Sequence, residues 1–317
     1  MILKPLLIAA MLFDLVGLSA LADRFDQAVI RERYDPTRSV VAANLNLALP
    51  EITPRPGLRS NPATLNILAR QYLLADKDSA KILIKNDYKK RVPIASTTKI
   101  MTAIVVLENY KLNDVVTVST AASNQIGADA LLVPGERITV GELLKCLLVK
   151  SGNDAAYALA EYANSPGEYG ITKFVGMMNE RARELGIIDS RYEDPAGLDA
   201  SGYSTAFDLF LLTSYALDNP TFVQLTATAE VTARSTDGQI WHQLQNSNRL
   251  VREYQYPGAI GVKTGYTPEA GHILVSAARR NGHTLIGVVI NTLADTPSAS
   301  ADESGKLLDW GFGNIVW

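Results

Sequence analysis

The stretch LLKCLLVKSGNDAAYALAEY, residues 143–162, places a short polar cluster between two apolar runs. The apolar residues on both sides recur at the spacing of a buried helix. Ser, Asn and Asp favour helix N-termini and Gly favours helix ends, so Ser-Gly-Asn-Asp at 151–154, taken alone, indicates a break between two helices. The stretch therefore predicts a helical layer in the middle of the chain.

Strand patterns lie on both sides of this helical region. QYLLADKDSAKILIKN (71–86) predicts two strands around a turn, and HILVSAARRNGHTLIGVVINT (272–292) predicts a hairpin at Asn281-Gly282. ATAEVTARSTDGQIWHQL (227–244) predicts another hairpin at Asp237-Gly238, because both dipeptides favour two-residue hairpin turns. This order predicts an α+β fold, in which helices flank an antiparallel sheet built from both ends of the domain and a helical subdomain is added.

Several helices can be placed from their periodicity and end signals. VPIASTTKIMTAIVVLENYKL (92–112) has apolar residues at helical spacing, and Thr139 and Glu142 have the spacing of a capping box. A further helix over 204–218 is expected to stop at Asn219-Pro220.

Composition excludes several functional classes. The 317 residues carry a formal net charge of -3, which argues against a broad nucleic-acid surface. The single cysteine, Cys146, excludes an intramolecular disulfide and lies in an apolar run that indicates a buried side chain. The three histidines, at 242, 272 and 283, form no H-x-x-x-H pair, so we expect neither a metal nor a cofactor.

The N-terminus indicates export. Residues 1–22 combine Lys4, an apolar centre and Ala-Leu-Ala at 20–22, the pattern of a signal peptide cleaved after Ala22. Asp14 interrupts the apolar centre, so an uncleaved anchor is the alternative, and only then would we expect membrane contact. Either form predicts an extracytoplasmic protein. Residues 23–60 are interpreted as a linker or N-terminal arm, and residues 61–317 as the folded domain.

Three short motifs follow one another in the chain: STTK at 96–99, SGN at 151–153 and KTG at 263–265. A serine hydroxyl needs an adjacent base to act as a nucleophile. Ser96 and Lys99 are three residues apart at the start of a predicted helix and so share one face. A lysine can be that base where desolvation or a second cation lowers its pKa, and Lys263 is a candidate for the second cation.

The remaining motif residues suit a serine acyl-transfer site. The Ser151 hydroxyl can relay a proton to a leaving amine, and the Asn153 amide can orient substrate. The backbone N–H groups of Ser96 and Tyr266 are candidates for an oxyanion hole, and Gly265 would allow substrate to lie close to its strand. In isolation, Ser96 could be an N-cap, Lys99 a solvated lysine and KTG a strand end, but the joint pattern favours catalysis.

At these residues the sequence resembles the penicillin-binding serine D,D-peptidases, specifically the D-alanyl-D-alanine carboxypeptidases. The resemblance covers about residues 65–315 and rests on PIASTTKIMTAIVV, LLVKSGNDAAYALAEY, DPAGLDASGYSTAFDL, NSNRLV, GVKTGYTPEAGHILVSAA and KLLDWGF. It implies a beta-lactamase/transpeptidase-like fold and removal of the terminal D-alanine of the peptidoglycan stem peptide through an acyl-serine intermediate. Beta-lactam antibiotics would then be covalent inhibitors.

The resemblance also implies residue roles. Ser96 corresponds to the nucleophile and Lys99 to the base, with Ser151 as proton relay. The implied substrate-binding residues are Asn153, Lys263, Thr264, Gly265 and Tyr266, with Thr264 helping to hold the terminal carboxylate.

This sequence departs from the family pattern in two ways. We expect a catalytic domain without the second β-rich domain and amphipathic anchor that many relatives carry. Some relatives also have an arginine after the last long strand that binds the terminal carboxylate, whereas VVINTLADTPSASADESG (288–305) has none. Arg249 and Arg234 are weak candidates to replace it.

Three alternatives to a carboxypeptidase stay open. SGN in place of SEN favours the carboxypeptidases over a D,D-endopeptidase. A serine beta-lactamase would need a glutamate to activate the deacylating water, and no convincing E-x-x-L-N occurs in the helical middle. An inactive wall-binding module is disfavoured because the residues of all three motifs are intact.

Overall fold

The computed structural model describes residues 56–162 and 168–317. The predicted signal segment, residues 1–22, and all but the end of the predicted arm, residues 23–60, lie outside these ranges, so the division of the chain stays a prediction. Within the described ranges, no helix combines the length and the apolar character needed to span a bilayer.

Eleven strands and nine helices are described in these ranges. The strands are β1 Gly57–Leu58, β2 Ala69–Asp76, β3 Ile82–Asn86, β4 Val115–Thr117, β5 Arg137–Thr139, β6 Glu230–Arg234, β7 Trp241–Gln245, β8 Ala259–Thr267, β9 Gly271–Arg280, β10 His283–Thr292 and β11 Ile315–Val316. The helices are α1 Lys99–Asn109, α2 Thr120–Ser123, α3 Val140–Lys145, α4 Asn153–Glu161, α5 Glu168–Glu184, α6 Ala206–Ala216, α7 Pro220–Thr226, α8 Arg249–Arg252 and α9 Ala299–Asn314. A 3₁₀ turn, Ala95–Thr98, precedes α1, and a π-helical turn, Cys146–Lys150, continues α3.

The main sheet joins the two ends of the domain. It has five antiparallel strands in the order β3-β2-β10-β9-β8, and β2 from the N-terminal part pairs with β10 from the C-terminal part. A smaller pair, β1 with β11, also brings the two ends together. The predicted α+β fold and the placing of the helices between early and late strands are confirmed.

Helices cover the main sheet on both faces. Alternate residues of a strand point to opposite faces. Leu73 and Val288 belong to the core shared with the helical region, whereas Leu74 and Val289 belong to a second core with Leu307 of α9. The sheet is therefore a central layer with an apolar core on each side.

The two predicted hairpins differ. Asn281 and Gly282 both have positive φ angles, 52° and 83°, as a two-residue type I′ turn requires, and they connect β9 to β10. The hairpin at Asp237-Gly238 forms a separate two-stranded sheet, and its connection, residues 235–240, is longer than predicted. The Asp237 carboxylate accepts hydrogen bonds from the Ser235 hydroxyl and the Gln239 N–H, which stabilises the longer loop.

The predicted helix stop before Asn219-Pro220 is confirmed, since α6 ends at Ala216. The Thr139 hydroxyl accepts a hydrogen bond from the Glu142 N–H, as expected for an N-cap. Asn219-Pro220, however, begins a helix as well as following one. The Asn219 side chain caps α7, and Pro220 is its first residue, a position where the missing N–H costs nothing.

The two cores predict that replacing a buried leucine and replacing an exposed leucine have different effects on stability. Leu74 is fully buried between the sheet and α9, whereas Leu293 is 61% exposed. We expect Leu74→Ala to lower the free energy of unfolding by about 2–5 kcal/mol, and Leu293→Ala to change it by less than about 0.5 kcal/mol. Chemical denaturation of both variants measures this, and equal losses would contradict the placing of Leu74 in a core.

Candidate active site

The 3₁₀ turn places Ser96 at the start of α1. Thr97 donates a side-chain hydrogen bond to the Ile94 carbonyl at 2.7 Å, which closes the turn. Neither the turn nor α1 has a side-chain cap hydrogen bond, so Ser96 is not an N-cap. Lys99 is fully buried rather than solvated. The two non-catalytic interpretations of Ser96 and Lys99 are therefore excluded.

Three oxygen atoms surround the Lys99 amine. Its Nζ lies 2.9 Å from Ser96 Oγ, 2.7 Å from Asn153 Oδ1 and 2.9 Å from the Ala196 carbonyl oxygen. The amide and backbone oxygens can only accept hydrogen bonds, whereas a hydroxyl can also donate. When the amine is neutral, its two N–H groups satisfy these two carbonyl-type oxygens and its lone pair faces the Ser96 hydroxyl.

Burial adjusts Lys99 to the chemistry of a base. Removal from water lowers the pKa of Lys99 to about 7, against the opposing effect of the charges on Asp194 and Asp154. A large share of the Lys99 side chains is therefore neutral near pH 7, which a proton acceptor for Ser96 requires.

The polar cluster at 151–154 changes the direction of the chain. Ser151 has a left-handed backbone, φ 70°, at the end of the π-helical turn, and α4 begins at Asn153. Asn153 is buried and donates from Nδ2 to the Ile126 carbonyl, which directs its Oδ1 toward Lys99. Ser151 accepts a hydrogen bond of 2.8 Å from Lys263. The break between helices is thus also the segment that joins the two lysines.

Lys263 is the second buried lysine of the site. Its Nζ donates to Ser151 Oγ and to the Thr264 carbonyl at 3.2 Å. Burial, and then the charge of Lys99, lower the pKa of Lys263 well below its usual value. The role of Lys263 as a second cation that lowers the pKa of Lys99 stays a prediction.

Strand β8 lies directly against the 3₁₀ turn at Gly265. A Cβ atom at this position would lie 3.0 Å from the Ile94 carbonyl oxygen and 3.3 Å from the Ser96 nitrogen. Only glycine therefore permits this approach without a shift. Tyr266, the next residue, is 52% exposed, and its ring stacks on that of His272 at 4.4 Å. The oxyanion-hole role of the Ser96 and Tyr266 N–H groups stays a prediction.

Two positioning residues were missed at the level of sequence. The Asp194 carboxylate accepts hydrogen bonds from the N–H groups of Ala196, Gly197 and Asp199, which fixes the Ala196 carbonyl that contacts Lys99. The Ser247 hydroxyl lies 2.7 Å from the Thr264 hydroxyl. Both residues fall in stretches that resemble the family, DPAG and NSN, but only the folded chain assigns them a partner.

Both candidate replacements for the absent arginine contact a neighbouring side chain. Arg249 forms an ion pair with Glu253, and Arg234 lies over the Trp241 ring at 4.9 Å. In the part of the chain that the structure describes, one group of side chains has the spacing of metal ligands, Asp76, Asp78 and His283. None of these three is a candidate site residue.

Ser96 is hydrogen-bonded to the buried Lys99, and Ser151 is hydrogen-bonded to the buried Lys263. Such an arrangement is typical of a serine acyl-transfer site. The family model described as D-alanyl-D-alanine carboxypeptidase matches residues 58–294, and the chain belongs to this peptidase S11 family. The D-alanyl-D-alanine carboxypeptidase DacF of Bacillus subtilis is 36% identical over 251 residues, which cover 77% of this chain and 62% of that relative. The chain thus spans less than two thirds of that relative's length.

Two further comparisons bear on function. A D-alanyl-D-alanine endopeptidase of Haemophilus influenzae is 33% identical over 251 residues, 77% of this chain and 82% of that protein. The crystal structure of the Streptomyces K15 DD-transpeptidase superposes with a TM-score of 0.74 at 34% identity and covers 79% of this chain and 99% of that one. The fold is therefore that of the penicillin-binding D,D-peptidases.

The close contact at Gly265 predicts a sensitive position. We expect Gly265→Ala to slow the labelling of Ser96 by a fluorescent penicillin about ten- to a hundredfold, because β8 must move away from the turn. Gly313→Ala is the matched control, since a Cβ there meets nothing within 4 Å. Unchanged labelling in Gly265→Ala would contradict the proposed contact.

The pKa of Lys99 predicts the pH profile of acylation. Below about pH 7 Lys99 is protonated and cannot accept the Ser96 proton, so the acylation rate should rise with pH around a midpoint near 7. Stopped-flow measurement with a chromogenic penicillin tests this. Lys99→Arg should abolish acylation at every pH, because a guanidinium stays protonated. A flat profile for the wild type would exclude Lys99 as the base.

Proposed function

We propose that this protein is a serine-type D-Ala-D-Ala carboxypeptidase that removes the terminal D-alanine from peptidoglycan stem peptides. The observation that carries the proposal is the 2.9 Å contact between Ser96 Oγ and the buried Nζ of Lys99, whose pKa lies at about 7. Membership of the D-alanyl-D-alanine carboxypeptidase family supports the substrate class.

In the first half-reaction, Ser96 Oγ attacks the carbonyl carbon of the D-Ala-D-Ala peptide bond and gives its proton to Lys99. The C–N bond then breaks and leaves an acyl-serine ester. Lys99 gives this proton up to the departing D-alanine amine through the Ser151 hydroxyl, which is held by a hydrogen bond from Lys263, so Lys99 is neutral again once the acyl-serine has formed. In the second half-reaction, water attacks the ester carbonyl and gives a proton to neutral Lys99, the ester C–O bond breaks to release the shortened peptide, and Lys99 returns the proton to Ser96 Oγ.

The remaining site residues are assigned to substrate binding. Asn153 presents its amide beside Lys99, and Gly265 and Tyr266 lie on β8, an edge strand of the main sheet. A free edge can pair with an extended peptide. The Thr264 and Ser247 hydroxyls, 2.7 Å apart, are assigned to the substrate's terminal carboxylate, and Lys263, whose Nζ donates to the Thr264 carbonyl, supports this part of the site.

Beta-lactams are assigned as covalent inhibitors that acylate Ser96, because they present a strained amide to the same nucleophile. Wall peptides lie outside the cytoplasm, so we place the enzyme there. Export by residues 1–22 is part of this proposal, as is membrane contact if the segment is not cleaved.

A D,D-endopeptidase is the second candidate, and the 33% identical Haemophilus influenzae protein is the observation that favours it. A beta-lactamase is less well supported. Among the described residues, the Lys99 amine forms hydrogen bonds to Ser96, Asn153 and Ala196, none of which offers a carboxylate that could activate a deacylating water.

The purified residue 23–317 fragment should release D-alanine from diacetyl-Lys-D-Ala-D-Ala, and Ser96→Ala should abolish release, because among the described residues Ser96 carries the hydroxyl that is hydrogen-bonded to Lys99. An enzymatic assay of free D-alanine measures this. A cross-linked dimeric muropeptide offered in parallel distinguishes the endopeptidase.

Preference for the dimer over the linear peptide would favour the endopeptidase. Rapid turnover of penicillin would favour a beta-lactamase. Absence of both D-alanine release and penicillin labelling in the wild type would contradict all three catalytic readings.

A further inference from the structure

The loop between α2 and β5 exposes apolar side chains beside the candidate active site. We call residues 126–133 the clamped loop. Ile126 is 76% exposed and Leu131 is 75% exposed, the highest values among the large apolar side chains of the described residues. Exposed side chains of this kind add nothing to a core. Where apolar side chains are exposed together, they can form a binding surface.

The Leu131 backbone is held in an unfavourable conformation. Its φ angle is 62°, in the left-handed region that large apolar residues rarely adopt. The N–H groups on either side, from Ala130 and Leu132, both donate to the buried carboxylate of Asp154 at 3.0 Å. Asp154 thereby fixes both neighbours of Leu131 and directs its side chain into solvent. Backbone strain of this kind is concentrated at sites that contact ligands.

The first half of the clamped loop, residues 126–128, is hydrogen-bonded to Asn153. The Ile126 carbonyl accepts from Asn153 Nδ2, and the Ala128 carbonyl accepts from the Asn153 N–H at 2.7 Å. The same Asn153 side chain contacts Lys99 through its Oδ1. Ile126 is therefore fixed beside Lys99 through Asn153, and Leu131 is held through the adjacent residue, Asp154.

The chemistry of the loop limits what it can bind. Its sequence, IGADALLV, contains one ionisable residue, Asp129, and no cation. An anionic lipid surface or a phosphate would find no positive charge here. An aliphatic chain would cover Ile126 and Leu131, which suits the part of a peptide that lies on the acyl side of the scissile bond.

We propose that the clamped loop is a substrate subsite that binds the aliphatic side chain of the residue preceding D-Ala-D-Ala in the stem peptide. This inference rests on the proposed carboxypeptidase function and adds a determinant of specificity to it. On the sheet side of the site, the exposed Tyr266 follows Gly265 on β8, and the proposal places the peptide between this strand and the clamped loop.

The test compares two substrates and three variants. The substrates are diacetyl-Lys-D-Ala-D-Ala and acetyl-Gly-D-Ala-D-Ala, which differ by the presence of the aliphatic side chain and its acetylated end. Leu131→Asn removes the apolar group but keeps a residue that tolerates a positive φ. Leu131→Met keeps an apolar side chain, and Ile188→Asn is the matched surface control, since Ile188 is 57% exposed and no hydrogen bond links its side chain to the site.

We expect Leu131→Asn to lower kcat/KM about five- to tenfold for the lysine peptide, since part of a leucine's apolar contact is lost, and to change it less than twofold for the glycine peptide. The kcat/KM of Leu131→Met should stay within threefold of the wild-type value on both peptides. The kcat/KM of Ile188→Asn should equal the wild-type value. Sedimentation velocity of Leu131→Asn is measured alongside.

Three results would overturn the subsite. Equal losses on both peptides would mean that Leu131 acts through Asn153 and Lys99 rather than by contact with substrate. No change on either peptide, with conversion of a dimer to a monomer, would make the loop an interface between copies of this chain. Release of D-alanine from neither peptide by the wild type would overturn the proposed function, and the subsite with it.

Discussion

The structure depends on keeping two lysine side chains, Lys99 and Lys263, out of water in one small polar site. An isolated buried ammonium costs several kcal/mol, so each amine must be hydrogen-bonded or lose its charge. The start of α1, the break before α4 and strand β8 meet where they do because each supplies an amine or an oxygen acceptor to this arrangement. Burying two amines lowers the free energy of unfolding. The two apolar cores, on opposite faces of the main sheet, offset this loss.

The sequence predicted the fold class and the main site residues because both leave local signals. Helical and strand periodicities placed the central helices between the outer strands, and the S-x-x-K spacing placed Ser96 beside Lys99. Asp194 and Ser247 were missed because their significance comes from partners distant in the chain. The helix that starts at Pro220 was missed because Asn219-Pro220 suits both a helix end and a helix start. The loop between β6 and β7 is longer than the predicted two-residue turn because the Asp237 side chain stabilises the longer loop.

Three of the eight non-glycine residues with a positive φ angle in the described part of the chain lie around the cleft. Ala95, Leu131 and Ser151 all have positive φ angles, and each lies next to or within a segment that holds a candidate catalytic residue. Such conformations cost about 1–3 kcal/mol each and persist only where the surroundings fix them. Here the surroundings are the 3₁₀ turn, the Asp154 carboxylate and the π-helical turn. The site is thus shaped in advance of substrate binding, at the expense of stability that more relaxed residues would provide.

Strand β8 forms one edge of the main sheet, and an unpaired edge can capture any extended chain. Many proteins protect such an edge with proline, an outward lysine or a covering loop. Here Thr226 contacts its beginning, through a hydrogen bond to the Ile260 carbonyl, and Lys263, the lysine of β8, is buried in the protein. An extended substrate and a misfolded neighbour would therefore compete for one surface. Substitutions that raise solubility by blocking this edge would also keep substrate from pairing with it and so reduce turnover. Along these few residues of β8, protection against aggregation and access for substrate therefore oppose each other.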